Sequence, residues 1–344
     1  MKLTIDTVDD VPAELLSGQW RYSAASLAPR RLCTTAADAR WATRWTVARS
    51  AGQAVGIVSS HQPRAERFIN DAYDLGAMSD SLGREAPADP RRWVFVGGCR
   101  DFTAGVVTGA GLSDEDSAEV RSALAAHVFT EAEAAGDYPV ALHVRASEVA
   151  AFTAGLTGGH RACELSDTAH LALTGSTVDD YVAALPKSQR ERFRRDRRKF
   201  DALGYTAGFE PAGDVVAEAA PMICAVKEKY GVVEHPRLVA YRLKEWAAAF
   251  GPENCHASVV RDSDGRLLAV SFLTVQGDIL EGYEIGMADD VAGREFAYLQ
   301  AMIYAPIGFG YANACRTIDL GLDSSDVKQR RGATITKTWA ISLS

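Results

Sequence analysis

The sequence predicts an α/β protein with mixed sheets, divided into two lobes of similar size. The chain has 344 residues, 47% apolar and 24% charged, which is ordinary globular usage at a length suited to two domains. In the first half, WVFVGGC (93–99) reads as a strand. DEDSAEVRSALAAHVFTEAE (114–133) reads as a helix with acids in its first turn, and YPVALHV (138–144) as a second strand. Strand, helix, strand is an α/β unit. After Gly158–Gly159 the pattern restarts, which divides the chain into lobes 1–165 and 166–344.

The second half opens with a short strand (170–173) and a short helix (177–185). A strongly basic helix (186–200), a strand (205–209) and two helices (214–230, 237–250) follow. Strands 257–261 and 266–275 are joined by DSDG, where Asp264-Gly265 suits a tight hairpin turn because both central positions tolerate positive φ. Residues 279–285 complete this meander. Residues 293–314 read as a helix bent by Pro306, Gly308 and Gly310. A buried strand (317–320), a helical turn (325–331) and a last strand (334–342) end the chain.

Several function classes find no support. No run approaches the roughly 18 apolar residues of a membrane helix. The N-terminus, MKLTIDTVDDVPAELL, carries acids where a signal peptide needs a basic end, so the reading is a cytoplasmic protein with no membrane partner. The six cysteines form no C-x-x-C pair and the seven histidines no H-E-x-x-H, so no metal is expected. No nucleophile elbow, Walker loop or dinucleotide fingerprint stands out. Neither a covalent acyl-enzyme nor a permanently bound cofactor is indicated.

The feature demanding explanation is PKSQRERFRRDRRKF (186–200), with eight basic and two acidic residues in a chain of net charge −8. At 100° per residue, Leu185, Phe193, Phe200 and Leu203 share a buried stripe. Lys187, Arg190, Arg194, Arg197 and Arg198 share an arc of about 100°. A solvated helix would instead alternate signs at i, i+4. Either the protein's own acids cover this face or a polyanion does. Arginine dominates it, which suits bidentate phosphate binding.

Two stretches resemble the GNAT acyltransferase superfamily, in the two-lobed branch that includes the Fem-type transferases. One is LPKSQRERFRRDRRKFDALGY (185–205), a short helix end followed by a basic helix, Gly and a strand. The other is YAPIGFGYANACRTIDLGLDSSDVKQRRGATI (304–335), with Asp-x-Gly at a strand end, then Lys, then Arg-Gly before the last strand. The resemblance covers roughly 167–344 and implies tandem GNAT-like lobes, the first degenerate. The implied activity is amide formation by transfer of an acyl or aminoacyl group to an amine of a small molecule or peptide. Alternatives are an acyl-CoA-dependent N-acetyltransferase and a non-catalytic RNA- or polyanion-binding protein on the same fold.

The resemblance also frames the donor. CoA-using relatives carry Q/R-x-x-G-x-G/A where the central strand enters its helix. Here MADDVAGREFAYLQ (287–300) has only Gly293 near the helix start, and Asp289 and Asp290 would repel a phosphate. Fem-type enzymes take their acyl group from aminoacyl-tRNA. That donor is therefore slightly favoured over acyl-CoA, with tRNA as a partner and DNA not expected.

Candidate residues follow from the chemistry of acyl transfer to an amine, which needs a base, oxyanion stabilisation and sometimes an acid. Glu284 in LEGYEIG, on the third meander strand, is a candidate base. Asp319 in TIDLG ends an apolar strand, where acids point into the ligand crevice of open α/β sheets. Tyr304 is a candidate proton donor. Arg190, Arg194, Arg197 and Arg198 on the basic helix, with Lys328, Arg331 and Gly332 in DVKQRRG, are candidates for holding the donor and its phosphates. His235 and Tyr283 are candidates for the acceptor side.

Overall fold

The computed structural model describes residues 1–67, 73–157, 159–322 and 324–344. Gly158, half of the Gly-Gly pair marking the restart of the pattern, lies outside them. The chain forms two compact units, Met1–Ser166 with Thr336–Ser344, and Asp167–Ile335.

The first unit contains β1 (Thr4–Val8), α1 (Ala13–Ser17), β2 (Trp20–Arg21), α2 (Pro29–Ala36), β3 (Trp41–Ser50), β4 (Gln53–Pro63), α3 (Ser79–Leu82), β5 (Trp93–Val96), β6 (Val107–Gly109), α4 (Asp114–Ala134), β7 (Tyr138–Arg145) and α5 (Ala146–Thr153). Strands β3 and β4 form a long hairpin closed by Ala51 and Gly52, both at positive φ, as a two-residue turn with right-handed twist requires. Helix α4 starts at Ser113, whose hydroxyl accepts from the Asp116 N–H. It buries Val120, Leu124, Val128 and Phe129 in the core.

All eight residues of β7 are buried. A strand of that kind needs a neighbour on each edge. It has β5 in parallel on one side and the C-terminal strand Thr334–Leu343 antiparallel on the other. The sequence reading assigned 334–344 to the second lobe, whereas Thr336–Ser344 belong to the first unit. The hydrogen bond between His143 and Thr338 spans 195 positions, a distance at which local patterning carries no pairing information.

His61, buried on β4, bonds Thr43 through Nδ1 and Ser59 through Nε2, both at 2.9 Å. Burial, helped by the Arg100 charge, lowers its pKa from 6.5 to about 3. Between those values the unfolded chain binds a proton that the folded unit does not. Stability should therefore fall as pH drops from 6.5 toward 3, by up to about 1.4 kcal/mol per pH unit. Urea midpoints followed by tryptophan fluorescence should show this loss, and His61→Gln should remove it. Five of the six tryptophans lie in this unit.

The second unit takes up β8 (His160–Ala172) from Asp167 onward. It continues with α6 (Val178–Ala184), α7 (Lys187–Asp201), β9 (Thr206–Pro211), α8 (Ala212–Glu228), α9 (Pro236–Phe250), β10 (Cys255–Arg261), β11 (Leu267–Gln276), β12 (Ile279–Met287), α10 (Arg294–Leu299), α11 (Ala305–Ala312), β13 (Thr317–Leu322) and α12 (Ser325–Gln329). Its strand order is β8-β13-β12-β11-β10-β9. At the DSDG turn, Asp262 Oδ1 accepts from the N–H groups of Asp264 and Arg266, and Gly265 takes φ 81°. The bend expected at Pro306 is a π-helical turn, Gln300–Tyr304, just ahead of it. The wider turn accommodates a residue with no N–H to donate.

One feature of this sheet positions the site. Strands β12 and β13 are parallel, yet pair only from Ile279↔Thr317 to Glu281↔Asp319. Beyond that point β12 pairs with β11 alone. The two strands part where Glu284 and Asp319 stand.

Candidate active site

Strand β12 carries a bulge. Gly282 faces Leu273 and Ile285 faces Ser271, so Tyr283 and Glu284 together stand opposite Phe272. Two residues against one turns a side chain out of the regular alternation. Tyr283 stacks flat on Trp246 of α9, with ring centroids 5.0 Å apart. The Glu284 side chain, 14% exposed, points toward α8 and α9, where its Oε1 accepts from Lys227 Nζ at 2.8 Å and Arg242 Nη2 at 2.7 Å.

The same two cations also bind Glu234, Lys227 at 2.7 Å and Arg242 through both Nη atoms. Burial alone would raise the Glu234 carboxyl. The hydrogen bonds from Arg242 and Lys227 outweigh that and bring it down to about 2. Two carboxylates and two cations thus form one neutral cluster, and Glu284 Oε2 makes no hydrogen bond among the described residues. Sequence reasoning found Glu284 but not its three partners. They lie on two helices and a loop, and no local pattern links them.

Asp319, almost fully buried, accepts the Gly321 N–H at 2.8 Å through Oδ1, and its Oδ2 lies 3.7 Å from His170 on β8. Asp319 does not end β13, as expected from the sequence, but stands inside it. With Gly321 at φ 70°, its carboxylate shapes the irregularity between Asp319 and Leu322 in the pairing with β8. Lys328 is 1% exposed and donates to the carbonyls of Gly321 (3.3 Å) and Leu322 (2.6 Å). It therefore ties α12 to the end of β13. Gly332 has φ 101°, and a Cβ there would stand 2.6 Å from the Tyr181 hydroxyl. His235 is an exposed N-cap whose Nδ1 accepts from the Arg237 N–H.

The basic helix is anchored by an acid. On the helical wheel Asp196 falls in the buried stripe beside Phe193 and Phe200, and its side chain is 1% exposed. Arg331 reaches its Oδ2 through Nε (3.1 Å) and Nη2 (2.9 Å), and the Tyr304 hydroxyl donates to it at 2.9 Å. Burial first, then the Asp196 charge, push the Tyr304 phenol up. Tyr304 and Arg331 are thus brought together, around a residue that the sequence reading passed over. An acid on the apolar stripe of a basic helix was the available signal.

On the outward face Arg194, Arg197 and Arg198 are exposed, and no carboxylate partners them among the described residues. Arg190 donates to the Ala183 carbonyl at 3.0 Å. Only Lys187, through Glu191 at 4.0 Å, has an acid partner within that arc. Among the described residues, the protein's own acids do not cover this face.

On the other edge of the buried stripe, Arg192 borders a cavity of about 420 Å³ between α7, α10 and α12. Tyr298, Arg330 and Arg331 line it, with Glu295 and Asp326 at its side. Burial pushes the Tyr298 phenol up, against a hydrogen bond from Ser324. Arg192 and Arg330 were not among the sequence candidates. In the loop before α10, Asp289 is paired with Lys229 and lies 3.4 Å from Arg294, so its charge is largely compensated. This changes the expectation that it repels phosphate. Among the described residues no His, Cys, Asp and Glu cluster could hold a metal ion.

Residues 187–329 match the family model described as an acetyltransferase (GNAT) domain. No curated protein matches the chain. Among solved structures, FemX is similar at 10% identity, covering 88% of each chain with a TM-score of 0.59. A conserved protein of unknown function from Bacteroides thetaiotaomicron is similar at 13% identity over 99% of this chain and 100% of that one, with a TM-score of 0.60. A tandem GNAT protein from the clavulanic acid biosynthesis pathway aligns at 14% identity over 100% and 98%, with a TM-score of 0.51. At these identities the likeness is one of fold, and it extends over both units. The family match covers α7 through α12, and the fold of the two units is similar to that of FemX and the tandem GNAT protein.

Proposed function

We propose that the protein forms an amide by transferring an acyl or aminoacyl group from a phosphate-bearing donor to an amine, with aminoacyl-tRNA slightly favoured over acyl-CoA. The observation that carries this reading is the uncovered arginine face of α7, with the arginine-lined cavity on the helix's other edge. Three exposed guanidinium groups within little more than one helical turn offer a concentrated positive face of the kind that binds phosphates.

In this reading the acceptor enters as an ammonium and binds the open Oε2 of Glu284. That carboxylate takes one proton, which frees the nitrogen lone pair, and the neutral amine then attacks the donor carbonyl carbon. The backbone N–H groups at the Tyr283–Glu284 bulge receive the oxyanion. When the tetrahedral intermediate collapses, the bond to the ribose oxygen or the thiol sulfur breaks, and that atom takes up the second proton, which the former amine nitrogen sheds as the amide forms. Asp319 and Lys328 hold the end of β13 so that the parted strands stay apart.

The second reading, an acyl-CoA donor, is favoured by the pairing of Asp289 with Lys229 and Arg294, which removes a negative charge from the approach to α10. Binding of charged tRNA and of acetyl-CoA, each across a salt series, separates the two. The expected result is tRNA binding that ribonuclease destroys. The triple variant Arg194→Glu, Arg197→Glu, Arg198→Glu should weaken it by about 10²-fold or more and flatten its salt dependence. Tight acetyl-CoA binding indifferent to the triple variant, with no tRNA binding, overturns the donor preference.

A further inference from the structure

A second positive region lies apart from the basic helix. Residues 227–244 hold five basic and two acidic residues; with Lys227, Lys229 and Arg242 paired to acids, Arg237 and Lys244 remain against the exposed Glu228, a small positive excess in an acidic chain. Of the ten large apolar side chains exposed among the described residues, five fall in this segment: Tyr230, Val232, Val233, Leu238 and Tyr241. Exposure reaches 74% at Tyr230 and 85% at Val233. Scattered exposed apolar residues need no explanation, but a cluster in twelve consecutive positions does.

The segment is built to hold them outward. Helix α9 buries Val239, Leu243, Trp246 and Phe250, which fixes its rotation and leaves Leu238 and Tyr241 on the outer face. The loop before it is tied down by Glu234, held by Lys227 and Arg242, so its apolar residues do not fold back. Lys227, Lys229 and Arg242 are spent on Glu234, Glu284 and Asp289. Arg237 and Lys244 are exposed on the same outer face and have no acid partner among the described residues.

We propose that this segment is a peripheral docking surface for an anionic lipid bilayer. Aliphatic tips and tyrosines flanked by uncompensated cations match an interface with acyl chains below and anionic headgroups above. No helix among the described residues is long and apolar enough to cross a membrane, so the contact is confined to the surface. Docking there places the Glu284 cluster next to the bilayer, because Glu234 belongs to both.

The test is flotation with vesicles of phosphatidylcholine alone and of phosphatidylcholine with 25% phosphatidylglycerol, at low and high salt. The expected result is binding to the anionic vesicles, at least tenfold weaker without phosphatidylglycerol. Val233→Ser with Leu238→Ser should cut binding tenfold or more. Arg237→Glu with Lys244→Glu should abolish the preference for anionic lipid. All four positions are exposed, and circular dichroism should confirm unchanged folding. The triple arginine variant of α7 should still bind. The proposal is overturned if vesicles are not bound, or if binding follows the α7 arginines instead. It is equally overturned if sedimentation velocity without lipid shows a dimer that Val233→Ser dissociates.

Discussion

Glu284→Gln is expected to lower kcat/KM by about 10²- to 10⁴-fold, the range associated with loss of a positioned general base. Glutamine keeps the shape and can still accept from Lys227 and Arg242, but cannot take a proton from the incoming ammonium. The loss should therefore appear mainly in kcat when measured by single turnover. The substitution also leaves two cations facing one carboxylate, Glu234. A stability loss of about 1–3 kcal/mol is expected from that imbalance, and a melting curve separates it from the catalytic effect. The control is Glu234→Gln, which disturbs the same charge balance but leaves the proton acceptor in place. If both variants lose activity equally, Glu284 acts as part of the cluster's scaffold and not as a base. Activity of Glu284→Gln within threefold of wild type removes it from the chemistry.

Asp196→Ala is expected to destabilise the second unit by about 3–5 kcal/mol, because it leaves the Arg331 guanidinium buried without its counter-charge. Tyr304 loses its acceptor in the same step. Asp196→Ala combined with Arg331→Met should recover most of that loss, since the cost lies in the orphaned charge and not in the absence of the pair. Urea denaturation of the three proteins decides this. A double variant as unstable as Asp196→Ala alone would show that the aspartate matters for packing against Phe193 and Phe200. The double variant should still be weak in donor binding, because Arg331 also lines the cavity beside Arg192 and Arg330.

Much of the second unit was legible because its signals are local. The hairpin at Asp264-Gly265 follows from turn chemistry, and the amphipathicity of α7 from its period. The Asp-x-Gly of β13 was read as a strand end, but the strand runs on to Leu322 because the Asp319–Gly321 contact makes a local irregularity and not a stop. The single-sided charge of α7 was equally legible, since helix geometry alone sets which arginines share a face. The C-terminal strand was assigned to the wrong unit because its partner, β7, lies almost two hundred residues earlier.

By itself, then, the sequence determined the GNAT-like element order of the second half and the positive face of one helix, and it placed a glutamate on the third meander strand. These depend on interactions within about a dozen residues, where periodicity and turn preference act directly. Only the tertiary structure decided that Glu284 shares its cations with Glu234, and that Asp196 draws Arg331 and Tyr304 into a buried cluster. It alone decided that Arg192 and Arg330 meet across a cavity. Charges find partners by proximity in space, and proximity is set by how helices pack on a sheet, which no single segment encodes.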